Sequence, residues 1–177
     1  MRVIFGISIF LFGLSAAAIS AEKKPLEVAP FVDLQRYLGT WYEIATIPSR
    51  FQKDCVGVTA TYTLRPDGDI DVVNTCHKGA PDGPVKVARG KATPVAGSQG
   101  AKFKVSFFGP ALFANYWVLD HADDYSWAIV GEGSGRYLWI LTREAQPTPA
   151  RREELLGRVR GLGYDLSLLR FTRQAPQ

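Results

Sequence analysis

Beyond residue 41 the chain alternates apolar and polar side chains in short runs parted by turn residues. Val58, Ala60, Tyr62 and Leu64 share one side of a run whose other side is Thr59, Thr61 and Thr63. Phe103, Val105 and Phe107 alternate with Lys102, Lys104 and Ser106 in the same manner. A period of two is the mark of a strand with one face buried. Comparable runs recur at Trp41–Ala45, Ile70–Asn74, Val85–Pro94, Tyr116–Asp120, Tyr125–Gly131 and Tyr137–Arg143. Asp67-Gly68 and the segment His121–Asp124 read as hairpin turns, and Gly90 as a bend or bulge within the fourth run. Eight strands at roughly ten-residue spacing predict an all-β fold, an eight-stranded antiparallel up-and-down barrel.

The period then lengthens. Thr148-Pro149 supplies an N-cap and a first-turn proline ahead of Ala150–Arg160. Leu155, Leu156, Val159 and Leu162 form one apolar stripe, and Gly161 or Gly163 ends the segment. This predicts one C-terminal flanking α-helix on the outside of the barrel, with a short last strand over Leu168–Thr172. At the other end, residues 1–21 read as a secretory signal peptide. Arg2 precedes an apolar run of 12 residues, Val3–Leu14, and small residues follow to Ala21. That run is too short for a comfortable membrane span. Residues 22–32, charged and flanked by prolines, are expected to be a loose lead-in. Residues 33–177 form a single domain that opens with a helical turn over Asp33–Leu38. The mature protein is expected to be soluble, in the periplasm or secreted.

Charge and cysteine content narrow the classes further. Loss of Arg2 with the leader takes the formal charge from +4 to +3. There is no Lys/Arg block to bind nucleic acid, although mild basicity allows peripheral contact with a membrane. Cys55 and Cys76 are the two cysteines, and they flank the Asp67-Gly68 hairpin. In an exported chain they predict one disulfide, contributing about 3 kcal/mol by closing a loop of roughly 20 residues. His77 and His121 are the two histidines, both beside turns, and no convergent metal-ligand set is apparent, so neither metal nor cofactor is expected. Ser106 and Ser126 lack a nucleophile elbow. The glycine run Gly131–Gly135 joins two strands rather than a strand and a helix, which argues for a hairpin loop over a phosphate loop.

Three stretches resemble the signatures of the lipocalins: Gly39-Thr40-Trp41-Tyr42-Glu43-Ile44, Leu119-Asp120 followed by Tyr125, and Ile140-Leu141-Thr142-Arg143. The resemblance spans about Asp33 to Arg173. Arg36–Ala45, Lys104–Pro110 and Tyr137–Leu141 are similar to the bacterial lipocalins related to apolipoprotein D in particular. It implies a calyx for lipophilic molecules, in the bacterial members a fatty acid or a lysophospholipid. It also implies that Gly39, Trp41, Asp120, Tyr125 and Arg143 are structural, with Trp41 across the closed end and Arg143 over its ring. Two departures stand out. The well-known bacterial members carry a lipid-anchored N-terminal cysteine, which has no counterpart near Ala21, and Asp123-Asp124 lengthens the turn before Tyr125.

An eight-stranded barrel is either filled by its side chains or holds one small ligand. The candidate ligand-binding residues are Glu43, Val58, Ala60, Tyr62, Phe107, Trp117 and Trp139. Their apolar surfaces suit an acyl chain, and the Tyr62 phenol is placed to orient a polar head. Tyr116 and Trp117 must face opposite ways, and the pattern does not fix which points inward. Glu43 shares its face with Trp41 and Ala45, so it points either into the cavity or to solvent at a strand end. The expected function is to bind, store or transport a lipophilic ligand, without catalysis, as a monomer or homodimer. The alternatives are an enzyme using Glu43 or Tyr62 on a lipophilic substrate, a scavenger of a tetrapyrrole or other hydrophobic ligand, and an interaction protein with a filled barrel.

Overall fold

Eight strands wind in sequence order around a closed antiparallel barrel: β1 Gly39–Ile47, β2 Cys55–Leu64, β3 Ile70–Lys78, β4 Val85–Pro94, β5 Lys102–Ser106, β6 Ala114–His121, β7 Trp127–Gly131 and β8 Leu138–Thr142. Each pairs with the next, and β1 closes the ring by pairing with both β8 and β2. The computed structural model describes residues 26–49, 52–107, 109 and 113–174. The predicted signal peptide and residues 22–25 lie outside the described residues.

A four-residue helix, α1 (Leu34–Tyr37), precedes β1, and a longer one, α2 (Pro149–Gly161), follows β8. The Thr148 hydroxyl accepts a hydrogen bond from Arg151 N, with Pro149 in the first turn. Gly163, at φ +84°, resolves the choice of terminator, and Tyr164 N donates back to Val159 O. A short strand, β9 (Arg170–Phe171), then pairs with β1 at Ala45 and Thr46.

The apolar residues sort into two layers. The inner cluster includes Trp41, Tyr62, Ile70, Val72, Phe103, Val105, Val118, Val130 and Leu141. The outer cluster joins Ala45, Leu119, Trp127, Ile129, Leu138 and Ile140 of the barrel wall to Leu155 and Val159 of α2. Burying Leu155 and Val159 is worth about 1.5–3 kcal/mol each. Two bulges let the same strands serve both layers. The β1–β8 register shifts between Glu43 and Ala45, and the β6–β7 register shifts between Val118 and Asp120. One extra residue reverses which side chains face inward. Trp41 therefore belongs to the interior, while Ala45 and Ile47 pack under α2.

Two expectations are corrected. The β3–β4 ladder runs unbroken through Gly90, so that glycine marks no bulge there. A Cβ at Gly90 would lie 2.7 Å from Cδ1 of Phe107, and the glycine is what lets that ring approach. The second concerns the lead-in, which is not loose where it is described. Ala29 N donates to Val118 O and Val32 N to Gln99 O, both at 2.9 Å, and both residues are buried.

Beyond Tyr42 the ladder between β1 and β2 stops, and the C-terminal segment enters the seam. Thr172 N donates to Ile44 O, and Gly57 N donates to Arg173 O. The Gln174 amide donates to Glu43 O and Val58 O, at 2.8 and 2.9 Å. Residues 171–174 thus complete the wall.

Candidate functional site: the barrel interior

The floor is built around Arg143. Its guanidinium lies 3.7 Å from the centre of the Trp41 ring. It donates to the carbonyls of Thr40, Arg36, Tyr37 and Leu38 at 2.8–3.2 Å, and to Tyr125 O at 3.4 Å. Such carbonyls at a chain reversal have few other partners, and a planar fork of five donors suits them. Trp41 Nε1 donates to Tyr37 O, so α1 is tied to the ring it covers. Gly39 has φ +91°, a conformation open to glycine, and its α-carbon sits beside Arg143. Tyr125 accepts from Asp33 N, stacks on His121 and lies under the Arg36 guanidinium. Asp120 faces outward and pairs with Arg158 of α2 at 3.0 Å. Gly39, Trp41, Tyr125 and Arg143 thus meet at the closed end, and Asp120 fastens the helix.

Just above Trp41, three phenols converge. Tyr62 OH donates to Tyr116 OH at 3.0 Å, and Tyr37 OH and Tyr116 OH lie 2.7 Å apart. Their rings pack edge-on or stacked at 5.9–6.0 Å. Burial pushes the Tyr62 phenol up to about 12 and holds Tyr37 and Tyr116 well above the ordinary tyrosine range. All three are neutral donors at any physiological pH.

Glu43 stands on the inner face, opposite Leu141 on β8, and is 3% exposed. Gln52 Nε2 donates to it at 2.6 Å, and the Thr172 hydroxyl donates to its other oxygen. Burial raises its pKa, and those two donors oppose the shift. Gln52 also accepts from Trp139 Nε1 at 2.8 Å, which fixes the indole. Asn74 continues the inward alternation of Ile70 and Val72, between Ala60 and Ala88 on the neighbouring strands. Its buried amide oxygen has no hydrogen-bond partner among the described residues.

Of the sequence candidates, Ala60, Tyr62, Phe107 and Trp139 pack in or against the inner cluster. Val58 is buried beside the seam, within a register shift of the β2–β3 ladder between Val56 and Thr59. Trp117 does not join them. It packs against the outer cluster, with Lys102 Nζ 4.3 Å from its ring centre, and Tyr116 takes the inner position. Lys102 is its cross-strand partner, and Gly133 leaves room for the indole. Tyr37, Asn74, Gln52 and Thr172 were not among the sequence candidates. Asn74 was readable as the polar member of an apolar face. Gln52 and Thr172 lie in a loop and a tail, where no period points at the interior.

Cys55 and Cys76 are joined as a disulfide between β2 and β3 at the open end. His77 faces the carbonyl of Gly83, and His121 lies between the carbonyls of Ala122 and Phe31. Among the described residues no group of three His, Cys, Asp or Glu side chains is placed to hold a metal ion. None of the described helices is long and apolar enough to cross a membrane.

The sequence model of the lipocalin-like domain matches residues 32–174. Temperature-induced lipocalin-1 of Arabidopsis thaliana is 42% identical over 161 residues, 87% of this chain and 86% of that protein. Outer membrane lipoprotein Blc of Escherichia coli K12 is 38% identical, covering 80% and 79%. Apolipoprotein D of Mus musculus is 34% identical, covering 81% and 77%. Among solved structures, insecticyanin of the tobacco hornworm Manduca sexta superposes with a TM-score of 0.70 at 18% identity over 85% of each chain, a likeness of fold.

Proposed function

The chain belongs to the lipocalin-like family, whose members generally bind small hydrophobic molecules, and from that premise we propose that it stores or transports a fatty acid or lysophospholipid. One observation carries the reading. Ala60, Phe107, Tyr116 and Trp139 point inward from a closed wall, yet they stay incompletely buried. Ala88, Gly90 and Ala92 add only small side chains on the inward alternation of β4. A floor sealed by Arg143 and a wall lined this way suit an acyl chain, at about 0.8 kcal/mol per buried CH₂. Val58, Ala60, Tyr62, Phe107 and Trp139 are its contacts. Glu43, Gln52 and Asn74 meet its polar parts nearer the mouth.

The apolar N-terminal run and the disulfide support export to an oxidising compartment, the periplasm or the outside of the cell. Phe113, 53% exposed, with Lys53, Lys86 and Arg136 on segments at the mouth end, supports peripheral contact with a membrane from which the ligand is taken. The protein acts as a carrier, not a catalyst. Glu43 lies four residues along β1 from the position opposite Tyr62, roughly 13 Å of strand, so the two do not form an acid–base pair.

Native mass spectrometry of the exported protein, with organic extraction of bound material, tests this. A fatty acid or lysophospholipid in near-equimolar ratio is the expected result. A bare mass, together with tryptophan fluorescence that ignores added lipid, would sink the reading.

A further inference from the structure

The three phenols above Trp41 carry three O–H hydrogens but share two hydrogen bonds. Whichever way the Tyr37–Tyr116 bond runs, one hydrogen has no acceptor inside the triad. If Tyr116 donates to Tyr37, the unused hydrogen sits on Tyr37. That residue is 3% exposed and boxed in by the rings of Trp41, Tyr62 and Tyr125, with centres at 5.1–6.4 Å. If Tyr37 donates instead, Tyr116 accepts twice, as a phenol oxygen can, and its own hydrogen is unused. Tyr116 is the least buried of the three and packs against the inner cluster. The second arrangement gives the hydrogen somewhere to go. A buried hydroxyl hydrogen seldom lacks an acceptor.

The surroundings define that acceptor. The triad is neutral, and Phe103, Val72 and Val105 make the wall around it apolar. Arg143 beneath is already committed to the carbonyls of Thr40, Arg36, Tyr37, Leu38 and Tyr125. A carboxylate brought here would lose its hydration and gain one neutral donor, a poor exchange. A neutral oxygen gives up far less. Resting on the reading that the barrel carries a lipophilic molecule, we propose that Tyr116 is a specificity-determining donor. It seats a neutral oxygen, such as an alcohol or a ketone or ester carbonyl, at the buried end of the ligand. The barrel therefore selects a chain that is oxygenated at its inner end over a plain hydrocarbon end.

The test compares a homologous series of saturated fatty acids with their ω-hydroxy counterparts on the delipidated protein, read by tryptophan fluorescence. At the chain length that spans the barrel, the ω-hydroxy acid is expected to bind about fivefold tighter, the worth of one added hydrogen bond. Tyr116→Phe should abolish that advantage, so that the ω-hydroxy and unsubstituted acids bind alike. Tyr62→Phe, which leaves the Tyr116 hydrogen in place, should keep it. Equal or weaker binding of the ω-hydroxy acid at every length overturns the proposal and means that a water fills the donor. A preference that survives Tyr116→Phe also overturns it. The wild-type comparison stands even if a variant fails to fold. Binding of neither series would instead bring down the carrier reading, and this proposal with it.

Discussion

The two ends of the barrel are held by different kinds of part. At the floor a single side chain does most of the joining. Arg143 ties α1 and the start of β1 to the turn before β7, and it covers Trp41 as it does so. Towards the mouth no side chain among the described residues has that reach. The disulfide links β2 to β3, Gln52 links Glu43 to Trp139, and residues 171–174 fill the seam between β1 and β2. The floor is one cooperative unit. The mouth is an assembly of separable pieces, an arrangement that would suit the entry of the proposed ligand.

Breaking the pieces one at a time sharpens that contrast. The largest loss is expected from Cys55→Ser with Cys76→Ser, about 3 kcal/mol in denaturant unfolding, because the bridge closes a loop of roughly 20 residues. Near-UV signals from Trp41 at the floor should survive in that variant below its unfolding midpoint. Arg143→Leu should follow at about 1–3 kcal/mol, since it leaves several carbonyls unpaired. An unchanged melting curve for it would remove Arg143 from its structural role.

Glu43→Gln should act through pH. Burial raises the folded-state pKa of Glu43, so the folded protein holds that proton more tightly than the unfolded chain. Wild-type stability is therefore expected to fall as pH rises from the unfolded value, about 4.3, through the raised one. The glutamine variant lacks that slope. Parallel stability–pH curves for the two proteins would show that Glu43 does not titrate on folding. The smallest effect is expected from Arg158→Leu. Arg158 also lies over a tryptophan, 4.5 Å from the Trp127 ring centre, and it pairs with Asp120 and Glu154. It is exposed and screened, so its loss should cost less than about 1 kcal/mol and should shrink further in salt. Two arginines over two tryptophans would then differ by what else each guanidinium holds.

Much of the frame was legible because period and turn chemistry agreed. The strand Val85–Pro94 and the helix start at Thr148-Pro149 fall where the pattern puts them. Alternation fails where a wall is buried on both sides. Every residue of Trp127–Gly131 is buried, between the interior and α2, so no polar partner marks its faces. Bulges are invisible to a period of two, because one extra residue resets the count without leaving a residue type behind. That is why Ala45 sits outside while Trp41 and Glu43 sit inside. The choice between Tyr116 and Trp117 failed for a different reason. Both are aromatic, and the deciding neighbour, Lys102, is a cross-strand partner. Gln52 and Thr172 reach Glu43 from a loop and a tail, through contacts that long-range folding alone creates.

The seam at residues 171–174 changes what trimming the chain means. A protease that cut back past Thr172 would not merely shorten a loose end. It would lift the last stave out of the wall and open a slot from Val58 and Glu43 upward. Cargo would then leave through the side, and the leak would register as faster ligand escape with the floor still sealed.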